Sequence, residues 1–172
     1  LRRLEALRYV ECLSRAALLR AALMAGACRR VLALTLQYTS ERIQFGRAIG
    51  QFQAVQHQLV QLAEEAAAAR VAVHAAAITT DSRWCVAANA AAKLRAGEAA
   101  GLVVRIAHHL HGAIGITIEH VLQQSTRRLL TWRDEHGAEA WWARELVAQY
   151  RRQGAADSRG SAWAALVAAT TR

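Results

Sequence analysis

Apolar positions recur at helical spacing from the start of this chain. Between about Leu4 and Ser40, the residues Leu4, Leu7, Ala17, Ala21, Met24, Cys28, Val31, Thr35 and Tyr38 fall on one stripe, broken only by Gly26. The pattern predicts one helix of about 35 residues, ~50 Å long. A helix of that length needs a bundle or coiled-coil partner. Residues 41–51 break the period and carry Gly46 and Gly50, so a loop is expected there. The clearest signal follows. Phe52, Val55, Leu59, Leu62, Ala66, Ala69, Val73 and Ala76 keep strict 3-4-3-4 spacing, a heptad seam that packs against another long helix at a shallow angle. Small residues at half the seam positions let that partner approach closely.

Thr79-Thr80-Asp81-Ser82 is a polar break that can cap a third helix, about Arg83–His109. Gly112 and Gly115 end it. Thr117 can cap a fourth helix, about Ile118–Trp132, and a polar turn over 133–137 leads to a fifth, about Glu139–Arg152. No strand-like alternation and no internal repeat is visible. The expected fold is all-α: an antiparallel four-helix up-and-down bundle with an extra C-terminal helix. It spans residues 1–153, with a flexible tail over 154–172. Composition agrees, since there is no proline, the strongest helix breaker, and alanine is abundant.

The formal charge of +9 sits at the ends. Residues 1–50 hold nine arginines against three glutamates, residues 51–150 nine basic and nine acidic side chains, and the last 22 residues four arginines and one aspartate. The neutral middle argues against a nucleic-acid binder, which carries its charge on a compact face. Arginine-rich ends suit a phosphate-bearing ligand. Cys12, Cys28 and Cys85 are odd in number and widely spaced, which fits buried free thiols in a reducing cytoplasm. Neither a membrane-length apolar run nor a signal peptide is visible, so the expected location is cytoplasmic, with no membrane partner. His108, His109 and His111 lack accompanying carboxylates or cysteines, and no metal site is expected.

Two loops carry chemistry. The first reads Arg42-Ile43-Gln44-Phe45-Gly46-Arg47-Ala48-Ile49-Gly50-Gln51-Phe52-Gln53. A guanidinium on a glycine-flanked loop offers a fork of donors to phosphate oxygens, and Gly46 permits close backbone approach. On residue type alone, Arg42 could equally be a solvated cation and Phe45 a loop anchor in the core. The second runs from His109 through His111-Gly112-Ala113-Ile114-Gly115 to Thr117, Glu119 and His120. Its glycines expose amides ahead of the next helix, where an anion can bind; they also make an ordinary helix C-cap.

The first loop resembles the acyl-CoA dehydrogenase pattern R-x-Q-F-G-x-x-I-x-x-F-Q. The second resembles that family's Q-x-H-G-G-x-G-x-T-x-E-H segment, with His109 in place of the glutamine and Ala113 in place of the second glycine. The resemblance covers essentially the whole chain and implies a C-terminal helical domain, without the helical and β domains that precede it in the family. It implies FAD lying across a subunit interface, an acyl-CoA substrate and a homo- or hetero-oligomer, dimer or tetramer, formed through the bundle. Carried over, Arg42 pairs with the FAD diphosphate, Gln44 hydrogen-bonds nearby, Phe45 packs beside the cofactor, and Gln53, His109 and Gly112 complete the cofactor-binding set. The family removes a proton α to the thioester with a glutamate and a hydride from the β carbon. One branch's glutamate position falls on His136, with Glu135 adjacent; the other falls on Ala16, with Glu11 the nearest acid. Glu135 acting after a one-residue shift, His136 acting as the base, and a base on a partner subunit all remain open. The stretch Arg127–Glu135 looks more like heteromeric relatives acting on steroid side chains. Alone, 172 residues are expected not to turn over substrate. The rival of another class is a bundle that assembles and binds nothing small.

Overall fold

A computed structural model describes residues 2–80 and 82–154, with side chains from 8 to 80 and 84 to 151. Five helices follow one another: α1 (Arg2–Glu41), α2 (Gln53–Ile78), α3 (Ser82–His111), α4 (Leu122–Asp134) and α5 (Glu139–Gly154). The all-α class holds. Asp81, the side chains of Leu4 and Leu7, and the tail over 155–172 lie outside the described residues.

Direction follows from paired contacts. Asn89 Nδ2 reaches Ser14 Oγ near the starts of α3 and α1, and Tyr38 Oη donates to the His111 carbonyl near their ends, so these helices run parallel. α2 runs against both, with its Glu65 ion-paired to Arg95 at mid-height and its first turn beside His109. α4 descends along α3: His108 meets Thr126, and Lys93 meets the Arg133 carbonyl. α5 continues the same descent, with Glu139 beside Gly97 and Trp142 packed on Ala90. The fourth column of the bundle is therefore two helices end to end, joined by a turn.

The core sits where the sequence stripes converge. Ala17, Ala21, Met24, Cys28, Val31 and Thr35 of α1 are buried, as are Leu62, Ala66, Ala69 and Ala76 of the α2 seam. α3 is buried on most of its circumference because it touches all four other helices. Alanine at Ala92, Ala96, Ala99, Ala100 and Ala107 keeps it thin enough for that. Of the three thiols, all free, only Cys28 is buried; Cys12 is exposed and Cys85 half-buried. Burial pushes the Cys28 thiol up to about 12 and leaves it inert. No described helix is long and apolar enough to cross a membrane.

Two boundaries differ from expectation. The loop after α1 contains a minimal hairpin, β1 (Ile43–Gln44) and β2 (Arg47–Ala48), followed by a 3-10 turn over Ile49–Gln51. After α3, which runs on to His111, the chain makes a 3-10 segment over Gly112–Ile116, and α4 starts only at Leu122. Thr117 does not cap it. The Thr117 hydroxyl turns back to the Ile114 carbonyl, and the Leu122 N–H is taken by His120 Nδ1.

Candidate cofactor face and the turn after α4

The hairpin is closed by a two-residue turn, Phe45-Gly46, with φ of 52° and 81°. Positive φ at both positions matches the right-handed twist of the strands, as in type I′ turns. Such turns favour Asn-Gly; a phenylalanine there is strained by about 1–3 kcal/mol. The strain does not serve the core, because Phe45 is 91% exposed. The ring meets Phe52 edge-on, and Arg47 lies over the other side of that interaction, on Phe52 itself. The alternative in which Phe45 anchors the loop in the core is thereby excluded.

Behind the hairpin lies an open cleft of about 410 Å³, lined by Gln44, Phe45, Phe52, Gln58, His109 and Leu110 among others. Three residues of the expected cofactor set, Gln44, Phe45 and His109, thus come from separate parts of the chain to one cleft. Arg42 is exposed at the base of the hairpin; its carbonyl accepts from the Ile49 N–H. Gly112 is exposed with φ of 63°, and a side chain added there would meet open space. Gln53 is exposed on the first turn of α2 and does not line the cleft.

The histidine bend is tied to α1 by ring stacking. Tyr38 stacks on His111 at 4.3 Å, and His120 packs edge-on against both rings. His111 is 3% exposed. Its Nδ1 lies 2.8 Å from the Ala107 carbonyl, so that nitrogen carries a proton and donates. Burial holds His111 below the ordinary histidine value, despite the Ala107 bond that favours its charged form, and nearby His120 and His108 lower it further. His108 is held down by burial as well. An imidazole neutral in the fold but free to charge when unfolded stabilises the fold above about pH 6.5, and that contribution is lost on acidification. Melting temperature is therefore expected to fall between about pH 7.5 and about pH 5. In His111→Phe the fall becomes smaller; equal falls in both proteins would refute the assignment.

The turn after α4 carries the other expected pair. Glu135 is half-buried and ion-paired to Arg20 of α1, whose guanidinium also lies over Trp132. His136 is exposed and left-handed, with φ of 58°, ahead of Gly137 at 99°. A full α4 separates this turn from the histidine bend, ~20 Å of helix. The expected residues therefore fall in two separate places: a hairpin-and-bend face, and a turn.

Two features were not legible beforehand. Gln58 Oε1 is buried in the cleft wall without a hydrogen-bond partner, and Lys93 is buried beneath the turn. A glutamine at an unremarkable helical position and a lysine in an alanine run carry no sequence signal of such a place.

Residues 8–150 match the model of the acyl-CoA dehydrogenase C-terminal domain. The chain belongs to the acyl-CoA dehydrogenase family. It is 42% identical over 113 residues to acyl-CoA dehydrogenase IpdE2 of Mycolicibacterium smegmatis, covering 66% of this chain and 35% of that protein. Among solved structures it resembles a steroid acyl-CoA dehydrogenase, the Tcur3481–Tcur3483 G363A variant, at 30% identity and a TM-score of 0.78, over 85% of this chain and 41% of that one. It also resembles a chain of the ChsE4–ChsE5 complex from Mycobacterium tuberculosis, at 26% identity and a TM-score of 0.71, over 87% and 39%. The chain thus spans about a third of the curated acyl-CoA dehydrogenase it matches. Acyl-CoA dehydrogenases are FAD flavoproteins.

Proposed function

We propose that this chain is the C-terminal bundle of an FAD-dependent enzyme that dehydrogenates an acyl-CoA thioester between its α and β carbons. The observation that supports this reading is the convergence of Gln44, Phe45 and His109 on one cleft. The residues fit a flavin nucleotide. Arg42 supplies a forked cation for phosphate oxygens. Phe45 offers an uncovered ring, and Gln58 an unpaired acceptor in the cleft wall. Gly112 leaves its amide approachable. The cleft is open, so it takes one edge of the cofactor, and the rest of the flavin site lies outside these residues. The bound flavin supplies the hydride acceptor. This chain's own contributions are to hold the cofactor's phosphates at Arg42 and to present a proton acceptor at the turn after α4.

Of the two candidates there, His136 is the acceptor we assign. Glu135 is committed to Arg20, whereas His136 is exposed and has no such partner to displace among the described residues, and imidazole is a side chain that general-base catalysis uses. The 172 residues alone do not complete the reaction, in keeping with their coverage of 35% of the IpdE2 relative. The location is the cytoplasm, and the substrate is an acyl-CoA.

The test is FAD affinity in the complete enzyme containing this domain. Arg42→Ala is expected to weaken FAD binding by roughly tenfold to a hundredfold, the loss of a charge-assisted pair. Flavin fluorescence titration reads it directly. Unchanged affinity would remove the hairpin from the cofactor site and leave an assembly bundle as the better description.

A further inference from the structure

We propose that Lys93 is a positioning residue for the proton acceptor: its buried ammonium, with the Trp142 indole, fixes the left-handed turn that presents His136. This rests on the assignment of His136 above.

Lys93 stands on α3 and is 1% exposed. Its Nζ donates to the Arg133 carbonyl at 2.7 Å and to the Gly137 carbonyl at 2.9 Å. Those two carbonyls bracket Glu135 and His136. Trp142 Nε1 donates to the carbonyl between them in the chain, that of His136, at 2.9 Å. Three carbonyls of one short turn are thus held by buried donors from α3 and α5. The turn is strained, since His136 is a non-glycine residue at φ of 58°. Such a conformation persists only where its surroundings over-determine it. Gly137 is required by the same clamp, because a Cβ there would come within 2.8 Å of Trp142 Nε1.

Packing alone does not explain a lysine here. Ala90, Ala92 and Ala96 around it are all buried, and burying an ammonium costs several kcal/mol before its bonds are counted. A leucine or methionine fills similar space without that cost. What only the ammonium offers is several donors from one point. Burial holds its pKa below the ordinary lysine value; Glu139 and Asp134 favour the cationic form, and Arg133 and Arg20 oppose it. Glu139 is itself bonded to Arg133 across the turn. That pair lies over Gly97 and Gly101 of α3, where a side chain would crowd it. The turn is therefore fastened from below by Lys93, from the side by Trp142, and across its mouth by Arg133–Glu139.

Lys93→Met and Lys93→Arg in the complete flavoenzyme test this, with folding checked by circular dichroism. Lys93→Met is expected to lower kcat by roughly tenfold to a hundredfold, the scale of a misplaced catalytic group, while KM stays close to its starting value. Amide hydrogen exchange at residues 135–138 should accelerate. Lys93→Arg, which keeps a multidentate cation, should recover part of both. In a His136→Gln background, Lys93→Met should lower kcat no further. Unchanged kcat, unchanged exchange at the turn, or an equal loss in both backgrounds overturns the proposal. If His136→Gln itself leaves kcat intact, the base assignment fails and this proposal falls with it; exchange at the turn then shows whether Lys93 still holds it, so the two failures are told apart. Should Lys93→Met not fold, Lys93→Gln carries the same comparisons.

Discussion

Truncating Trp142 to alanine is expected to destabilise the domain by about 3–5 kcal/mol, the range for deleting a buried aromatic side chain. Trp142 is fully buried, and its cluster contains Ala17 and Ala90, with Leu13, Leu94, Trp141 and Leu146 around them. Its fully buried neighbours, Ala17 and Ala90, carry only methyl groups and fill little of the void, which leaves collapse to the partly buried residues at its edge. The indole also satisfies the His136 carbonyl, which loses its partner in the variant. A domain is worth only about 5–15 kcal/mol in total, so the change removes a large share of it. Urea unfolding should show a lower midpoint, and melting should drop on the order of 10 °C. Trp142→Phe separates the two contributions, keeping most of the packing and losing only the N–H, for about 1–3 kcal/mol. A loss under about 1 kcal/mol in the alanine variant would mean that α5 is not docked as described.

The contrast between Trp142 and Lys93 shows what this sequence discloses. The α1 stripe and α2 seam were readable because burial there repeats at the helical period, and the structure buries their central members. Bulky residues at Trp141, Trp142 and Leu146 marked α5 for the same reason. Lys93 was not readable, because its partners lie about 40 residues away and are backbone carbonyls that no side-chain pattern encodes. The hairpin escaped notice because Phe45-Gly46 lacks the asparagine that normally announces such a turn. Thr117 misled because it has a capping residue's side chain, yet its hydroxyl bonds backward and a histidine ring caps α4 instead. The candidate cofactor residues stood in two motifs, but the meeting of Gln44 and Phe45 with His109 at one cleft depends on α1 and α3 running parallel, a property of the fold and not of either motif.

The same parallel packing bears on the proton acceptor, and it motivates the second large effect. In the complete enzyme, His136→Gln is expected to lower kcat by about 10²–10⁴-fold, the range for losing a general base. The two base positions implied by the family resemblance lie far apart in the chain, at Ala16 and at His136. An ion pair links their neighbourhoods. Ala16 and Arg20 are one helical turn apart on the same face of α1, and Arg20 is paired to Glu135, the neighbour of His136. The first position thus stands one helical turn from a residue that is paired to the turn, and His136 is exposed on that turn. Glu135→Gln should cost less, since that carboxylate serves Arg20. If Glu135→Gln abolishes turnover and His136→Gln does not, the base moves one residue along the turn. If neither variant loses more than about tenfold, proton abstraction belongs to another subunit, and this chain's part in the reaction is confined to its flavin face.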